Sequence, residues 1–399
     1  MSRYARKSEP NVRPVKRIEL PEGKLTLRVV LLCLAVVIAI TAFSYGMSSL
    51  FSSPKGWQEI QVSSQFVLQY DLGAGELSAT AERKQISRLC AETLDSAYKL
   101  LSGEEYPDVT GIHYLNTHPG ETVPVDPVLY RALKTAAKSR VIYLAPLFSD
   151  YTGVYASDRD TEAELMDPYL NDEEGKFARE ILEFAGDPEQ IQLELLPDDQ
   201  VCLRISQEYL AFGAENKVES YLDFGWLKNA FLLDAVADAL IEQGFTRGIL
   251  SSWDGFSRIL SPMPGTTNLF AASEEGFWQT GRLSTEAACS FVSFRDFQTS
   301  KTEDLLYYTY DDGAVRTPFV SMESGFMRTG KGESLIVYSE KHTCGELAVT
   351  FYETFAESED GMKVAREQGI PAVYCTGKEI TRSDPAIQIT DIPDDVKLR

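Results

Sequence analysis

The stretch from Tyr221 to Ile259 constrains this chain most, because it specifies a loop, a helix, a turn and a strand in immediate succession. Asp223 precedes Gly225 and an apolar-periodic run, which suits a carboxylate capping the first free N–H groups of a helix. Leu227, Ala230, Leu233, Ala237, Leu240 and Ile241 recur at helical spacing, with Lys228, Asp238 and Glu242 among the positions between them. Gly244 stands where a left-handed C-cap belongs, Gly248 to Leu250 reads as a short buried strand, and Asp254-Gly255 turns the chain. A glycine-containing loop feeding a helix N-terminus is a place where phosphate binds, since free N–H groups and the helix dipole both favour an anion.

The same residues resemble the signature of the ApbE-type FAD:protein FMN transferases, Asp-Leu-Gly-Gly-Ile-Ala-Lys-Gly-Tyr-Ala-Val-Asp, followed by a helix and a strand ending in Gly-Gly. Asp223, Gly225 and Asp234 fall on matching positions without a gap. The family's lysine aligns with Asn229, leaving Lys228 one place early, and the glycine pair becomes Trp253-Asp254. Upstream, Asn116, Gly120, Val123 and Val125, a helix, and Pro146-Leu147 are similar to the family's Ser-x-Leu-Asn, Gly-x-x-Val-x-Val and Gly-Pro-Leu segments. Downstream, Ser290 survives from Ala-Thr-Ser-Gly. Asp311 survives from His-x-x-Asp-Pro, with Tyr308 in place of the histidine and Asp312 in place of the proline. Gly345 to Phe351 is similar to Ala-Asp-Ala-Leu-x-Thr-Ala, with Glu346 and Thr350 at the Asp and Thr positions. The resemblance runs in order over residues 57–380.

It implies an α+β fold of mixed and antiparallel sheets with packed helices. It also implies an enzyme that binds FAD, uses magnesium at the diphosphate, and passes FMN to a threonine of an acceptor flavoprotein. The residues carried over are Asp223, Gly225, Lys228 and Ser290 for the cofactor, Glu346 and Thr350 for the metal, and Asp311 as a catalytic orienting group. On spacing alone, a Glu and a Thr four apart are a solvated helix face. A non-catalytic, membrane-tethered flavin-binding or interaction module descended from the same fold is the alternative.

Charge limits the partners. Acidic residues outnumber basic ones by 60 to 38, for a net charge of −22, and nucleic acid is excluded because phosphate contacts need clustered Lys and Arg. Residues 1–28 go the other way, with eight basic residues against three acidic. An apolar run, 29–47, follows at once; at 1.5 Å per residue it spans roughly 28 Å, close to a bilayer core of about 30 Å. A basic tail before the run places that side in the cytoplasm and the main domain outside, on a single-pass anchor in the cell membrane. The length of the run favours an anchor over a cleaved signal peptide.

The expected organisation is therefore a basic tail (1–28), an anchor (29–47), a linker (48–56), an ApbE-like domain (57–384) and a polar tail (385–399). Residues 157–190, dense in Asp and Glu, read as a solvated loop. Six cysteines, Cys33 among them, form no C-x-x-C pair, so neither a zinc knuckle nor a redox pair is indicated.

Overall fold

The computed structural model describes residues 55–273, 276–299 and 305–399. The basic tail, the expected span at 29–47 and Cys33 lie outside the described residues, among which no helix is long and apolar enough to cross a membrane. The chain opens with a hairpin of β1 (Gly56–Gln61) and β2 (Phe66–Leu72), then the helix α1 (Ala79–Leu101). Next come α2 (Ile112–Thr117), β3 (Thr122–Pro124), α3 (Pro127–Ala136), α4 (Ala145–Tyr155), α5 (Asp160–Ala163) and α6 (Asp172–Gly186). The middle holds β4 (Ile191–Leu196), β5 (Gln200–Ile205), α7 (Gln207–Asn216), α8 (Lys228–Glu242), β6 (Gly248–Ser252) and β7 (Phe256–Ile259). After these run β8 (Gly265–Ser273), β9 (Gly276–Thr285), β10 (Ser290–Arg295), β11 (Tyr308–Thr309), β12 (Val315–Val320), β13 (Met327–Thr329) and β14 (Glu333–Ser339). The chain closes with α9 (Cys344–Ala356), α10 (Gly361–Gln368), β15 (Ala372–Thr376), β16 (Glu379–Arg382), β17 (Gln388–Thr390) and β18 (Lys397–Leu398).

Among the described residues the main sheet has nine strands in the order β1-β2-β6-β7-β10-β14-β15-β16-β18. Its ladders are antiparallel except β16–β18, which is parallel. Period-two alternation divides its side chains between two cores. On β14, Leu335 and Val337 enter a core shared with the helices, while Ile336 faces a smaller core with Leu269 and Leu283 of the β8–β9 hairpin. The sheet is thus covered by helices on one face and by the β17-β9-β8 sheet on the other.

α8 lies in the helix-side core. Leu233 and Leu240 are fully buried, and Gly244 ends the helix in the left-handed region with φ +79°. Ile241 is 37% exposed rather than buried, because one residue past Leu240 it stands about 100° round the helix. Asp223 does not cap α8 directly. Its Oδ1 accepts the Gly225 N–H at 2.7 Å and starts a 3-10 turn over Gly225–Leu227 that runs into the helix. At Gly225, φ is +53° and a Cβ would stand 2.7 Å from the Phe148 ring, so both conformation and space require glycine.

The acidic region 157–190 is not a loop. Asn171 Oδ1 accepts the Glu173 and Glu174 N–H groups, and Asp172 to Glu174 occupy the first turn of α6. Carboxylates are stabilised there by the positive end of the helix dipole. Ala178, Ile181 and Ala185 form the buried stripe. The charge that resembled a solvated loop is the N-terminal signal of a helix. The stretch 385–399 also differs from a polar tail: β17 pairs with β9 and β18 with β16. All five described cysteines, Cys90, Cys202, Cys289, Cys344 and Cys375, are buried free thiols.

Candidate functional site

α9 begins at a doubly held N-terminus. The Thr343 hydroxyl accepts the Glu346 N–H, and Glu346 Oε2 accepts the Thr343 N–H at 3.0 Å, completing a capping box. Asp234 reaches across from α8 and accepts the next two donors, Cys344 N–H at 3.1 Å and Gly345 N–H at 2.8 Å. Gly345 permits that approach, since a Cβ would stand 2.4 Å from the Phe231 ring. Burial pushes the Asp234 carboxyl up to about 6, against the pull of Arg258 and of the two backbone donors. Arg258 bridges Asp234 at 3.4 Å and Asp238 at 2.7 Å, so α8, α9 and β7 meet at one polar joint.

Two cavities adjoin this joint. One, of about 300 Å³, lies between α3, α8 and the start of α9, with Phe231, Ala132 and Ala235 among its apolar walls. The other, of about 540 Å³, is lined by Ser139, His342, Thr350 and Glu353 among others. Thr135, Lys138 and Glu346 line both. Within the second cavity, the Thr350 hydroxyl donates to the Glu346 carbonyl at 2.7 Å and so keeps its lone pairs for another partner. Glu346 spends one carboxylate oxygen on Thr343 and keeps Oε1. Both sizes fall at or within the roughly 300–1,000 Å³ common for small-molecule sites.

The other sequence-derived residues lie elsewhere. Asp223 and Gly225 stand just before α8 and Lys228 at its first residue: burial raises the Asp223 carboxyl, Lys228 opposes that rise, and the Lys228 ammonium lies 5.6 Å from the Tyr98 ring centre. Ser290 is 3% exposed on β10, opposite Ser339 and Arg258. Asp311 is exposed, and its backbone N–H donates to Asp160 Oδ2 at 2.8 Å. None of these five lines either cavity. Among the described residues no three His, Cys, Asp or Glu side chains gather as a metal cluster.

The backbone as a whole decides the comparison. It matches the flavin transferase ApbE of Vibrio cholerae with a TM-score of 0.55 and 14% identity, over 85% of this chain and 98% of that one. It matches the ApbE protein of Thermotoga maritima with a TM-score of 0.52 and 14% identity, over 84% and 97%. The fold is that of the ApbE flavin transferases. No protein-family model and no curated sequence matches the chain.

Set on the ApbE pattern, the departures have physical partners. Asn229, at the lysine position, donates to Asp254 Oδ2 at 2.7 Å, and Asp254 occupies the second place of the glycine pair. Tyr308, at the histidine position, donates to Asp160 Oδ1 at 2.8 Å. Trp226, at the second glycine of the signature, is buried against Phe256, Phe294 and Phe319. Asp234 was matched by sequence, but its role as a helix cap across 111 residues was invisible there. Arg131, Lys134 and Lys138, which line the first cavity, escaped the sequence reading although their i, i+3, i+7 spacing in an acidic chain was a signal.

Proposed function

We propose that this chain binds FAD at the cavities beside α9 and passes FMN, with magnesium, to a threonine of an acceptor flavoprotein. The observation that carries the reading is the presence of Glu346 and Thr350 on one cavity wall, on a fold shared with flavin transferases. Their free oxygens fit a sparsely held magnesium, which keeps several waters and needs only one or two carboxylates besides substrate phosphates. When bound, the metal supplies charge neutralisation at the diphosphate. Glu346 Oε1 and the Thr350 hydroxyl would hold it, and Lys138, which lines the same cavity, would add positive charge for the phosphate oxygens. The capping box and Asp234 keep Glu346 on a rigid first turn, which limits reorganisation. In this proposal Asp311, exposed and outside both cavities, meets the docked acceptor protein. The hydroxyl oxygen attacks the flavin-side phosphorus, the bond between the two phosphates breaks, AMP leaves, and the hydroxyl proton passes to solvent. Residues 29–47 anchor the domain on the extracytoplasmic face, where the acceptor is met.

A second reading is favoured by the Asn229–Asp254 and Tyr308–Asp160 bonds. They satisfy the lysine, glycine and histidine positions internally, as expected of a flavin-binding module that no longer transfers. One experiment separates the readings: wild type and Glu346→Gln are incubated with FAD, magnesium and an acceptor, and flavin fluorescence bound to the acceptor is read on a denaturing gel. Labelling by wild type that is lost in Glu346→Gln supports transfer. Flavin binding without labelling supports the module. Labelling that survives Glu346→Gln overturns the metal assignment.

A further inference from the structure

α3 and the turn after it bring three exposed cations, Arg131, Lys134 and Lys138, to one cavity. Some helical cations are matched to carboxylates on their own helix, as Arg88 to Glu92 at 2.8 Å, Lys99 to Asp95 at 2.6 Å and Lys176 to Glu180 at 3.5 Å. Arg131, Lys134 and Lys138 are exposed, and none of them has a salt-bridge partner among the described residues. In a chain of net charge −22, three such cations along α3 and the turn after it leave a local positive strip. A favourable helix dipole accounts for a cation at the C-terminal end of α3, but not for Arg131 near its middle. All three line the first cavity, and Lys138 lines the second as well.

The opposite wall of the first cavity is apolar at Phe231 and Ala235, with Asp234 and Asp238 at its edge. Cationic wall, apolar wall and carboxylates around one space suit a molecule with a phosphate, a flat ring and hydrogen-bond donors. The α8 start lacks this combination. Lys228 is half-buried beside Asp223 and Tyr98, Asn229 is bonded to Asp254, and neither lines either of these two cavities.

We infer that this protein holds the diphosphate of its nucleotide at α3 and the turn after it, through Arg131, Lys134 and Lys138, and not at the start of α8. The inference rests on the nucleotide reading above and moves the phosphate site away from the position that the signature implies. Guanidinium and ammonium donors form charge-assisted bonds to phosphate oxygens. The ring lies against Phe231, and Glu346 stands where the two cavities join.

The test is calorimetric titration of the full chain in detergent with FAD, and separately with inorganic pyrophosphate, each with magnesium. Arg131→Gln, Lys134→Gln and Lys138→Gln each weaken both ligands by about tenfold, the effect of losing one charge-assisted contact. Lys176→Gln, a charge control on α6, leaves both unchanged. The substituted side chains are exposed, and unchanged thermal unfolding confirms that each variant folds. FAD binding that all three glutamine variants retain overturns the α3 site and leaves the flavin reading standing. Pyrophosphate binding that the variants lose, without FAD binding by wild type, supports the α3 site and overturns the flavin reading. Absence of both from folded wild type overturns the two together.

Discussion

Asn229 Nδ2 donates to Asp254 Oδ2 at 2.7 Å, tying the first turn of α8 to the β6–β7 turn. Asp254 is 8% exposed. Burial raises its carboxyl, and the nearby Ser252, the Asn229 bond and Arg295 oppose that rise. Asn229→Ala leaves that carboxylate with a lost donor in a water-poor site, at a cost of about 1–3 kcal/mol. A urea midpoint that does not move would show that the pair contributes nothing.

α8 supplies the packing test. Leu240 is fully buried, so Leu240→Ala costs about 2–5 kcal/mol through lost transfer energy and a residual cavity. Chemical denaturation measures it, and a loss under about 0.5 kcal/mol, the range of surface changes, contradicts the assignment of that face.

Asp150 on α4 predicts a pH dependence. Burial first, and the neighbouring Glu174 carboxylate second, push its carboxyl from 3.8 up to about 7. A carboxyl raised in the folded state favours folding while protonated, and that contribution is lost as pH rises from about 4 through 7. Asp150→Asn therefore raises Tm at pH 8, where wild type holds two neighbouring anions, and changes it little at pH 5. Equal shifts at the two pH values would rule out titration of Asp150 as the cause.

The proposed membrane orientation rests on the basic tail and the apolar run that the sequence places before the described domain. Protease added to intact cells with an accessible surface digests the domain while the N-terminal tail is spared. Full protection of the domain in such cells reverses the orientation.

Local pattern carried much of this architecture. The apolar spacing from Leu227 to Leu240, Gly244 at the C-cap, and Ser334 to Tyr338 as a strand are each set by nearest neighbours along the chain, and they stand where the sequence places them. In the acidic run 157–190, charge density masks the Asn171 cap and the Ala178, Ile181, Ala185 stripe that specify a helix. Glu346 and Thr350 share a helix face by spacing alone, but only packing puts that face on a cavity with Lys138 and Ser139. Asp234 at the α9 N-terminus, Asn229 against Asp254 and Tyr308 against Asp160 are likewise contacts between residues far apart in sequence. The sequence by itself determined which helices and strands form, because hydrogen bonding within a turn and burial of a periodic face are local. The tertiary structure alone decided which side chains converge, because that depends on how the faces of different elements pack.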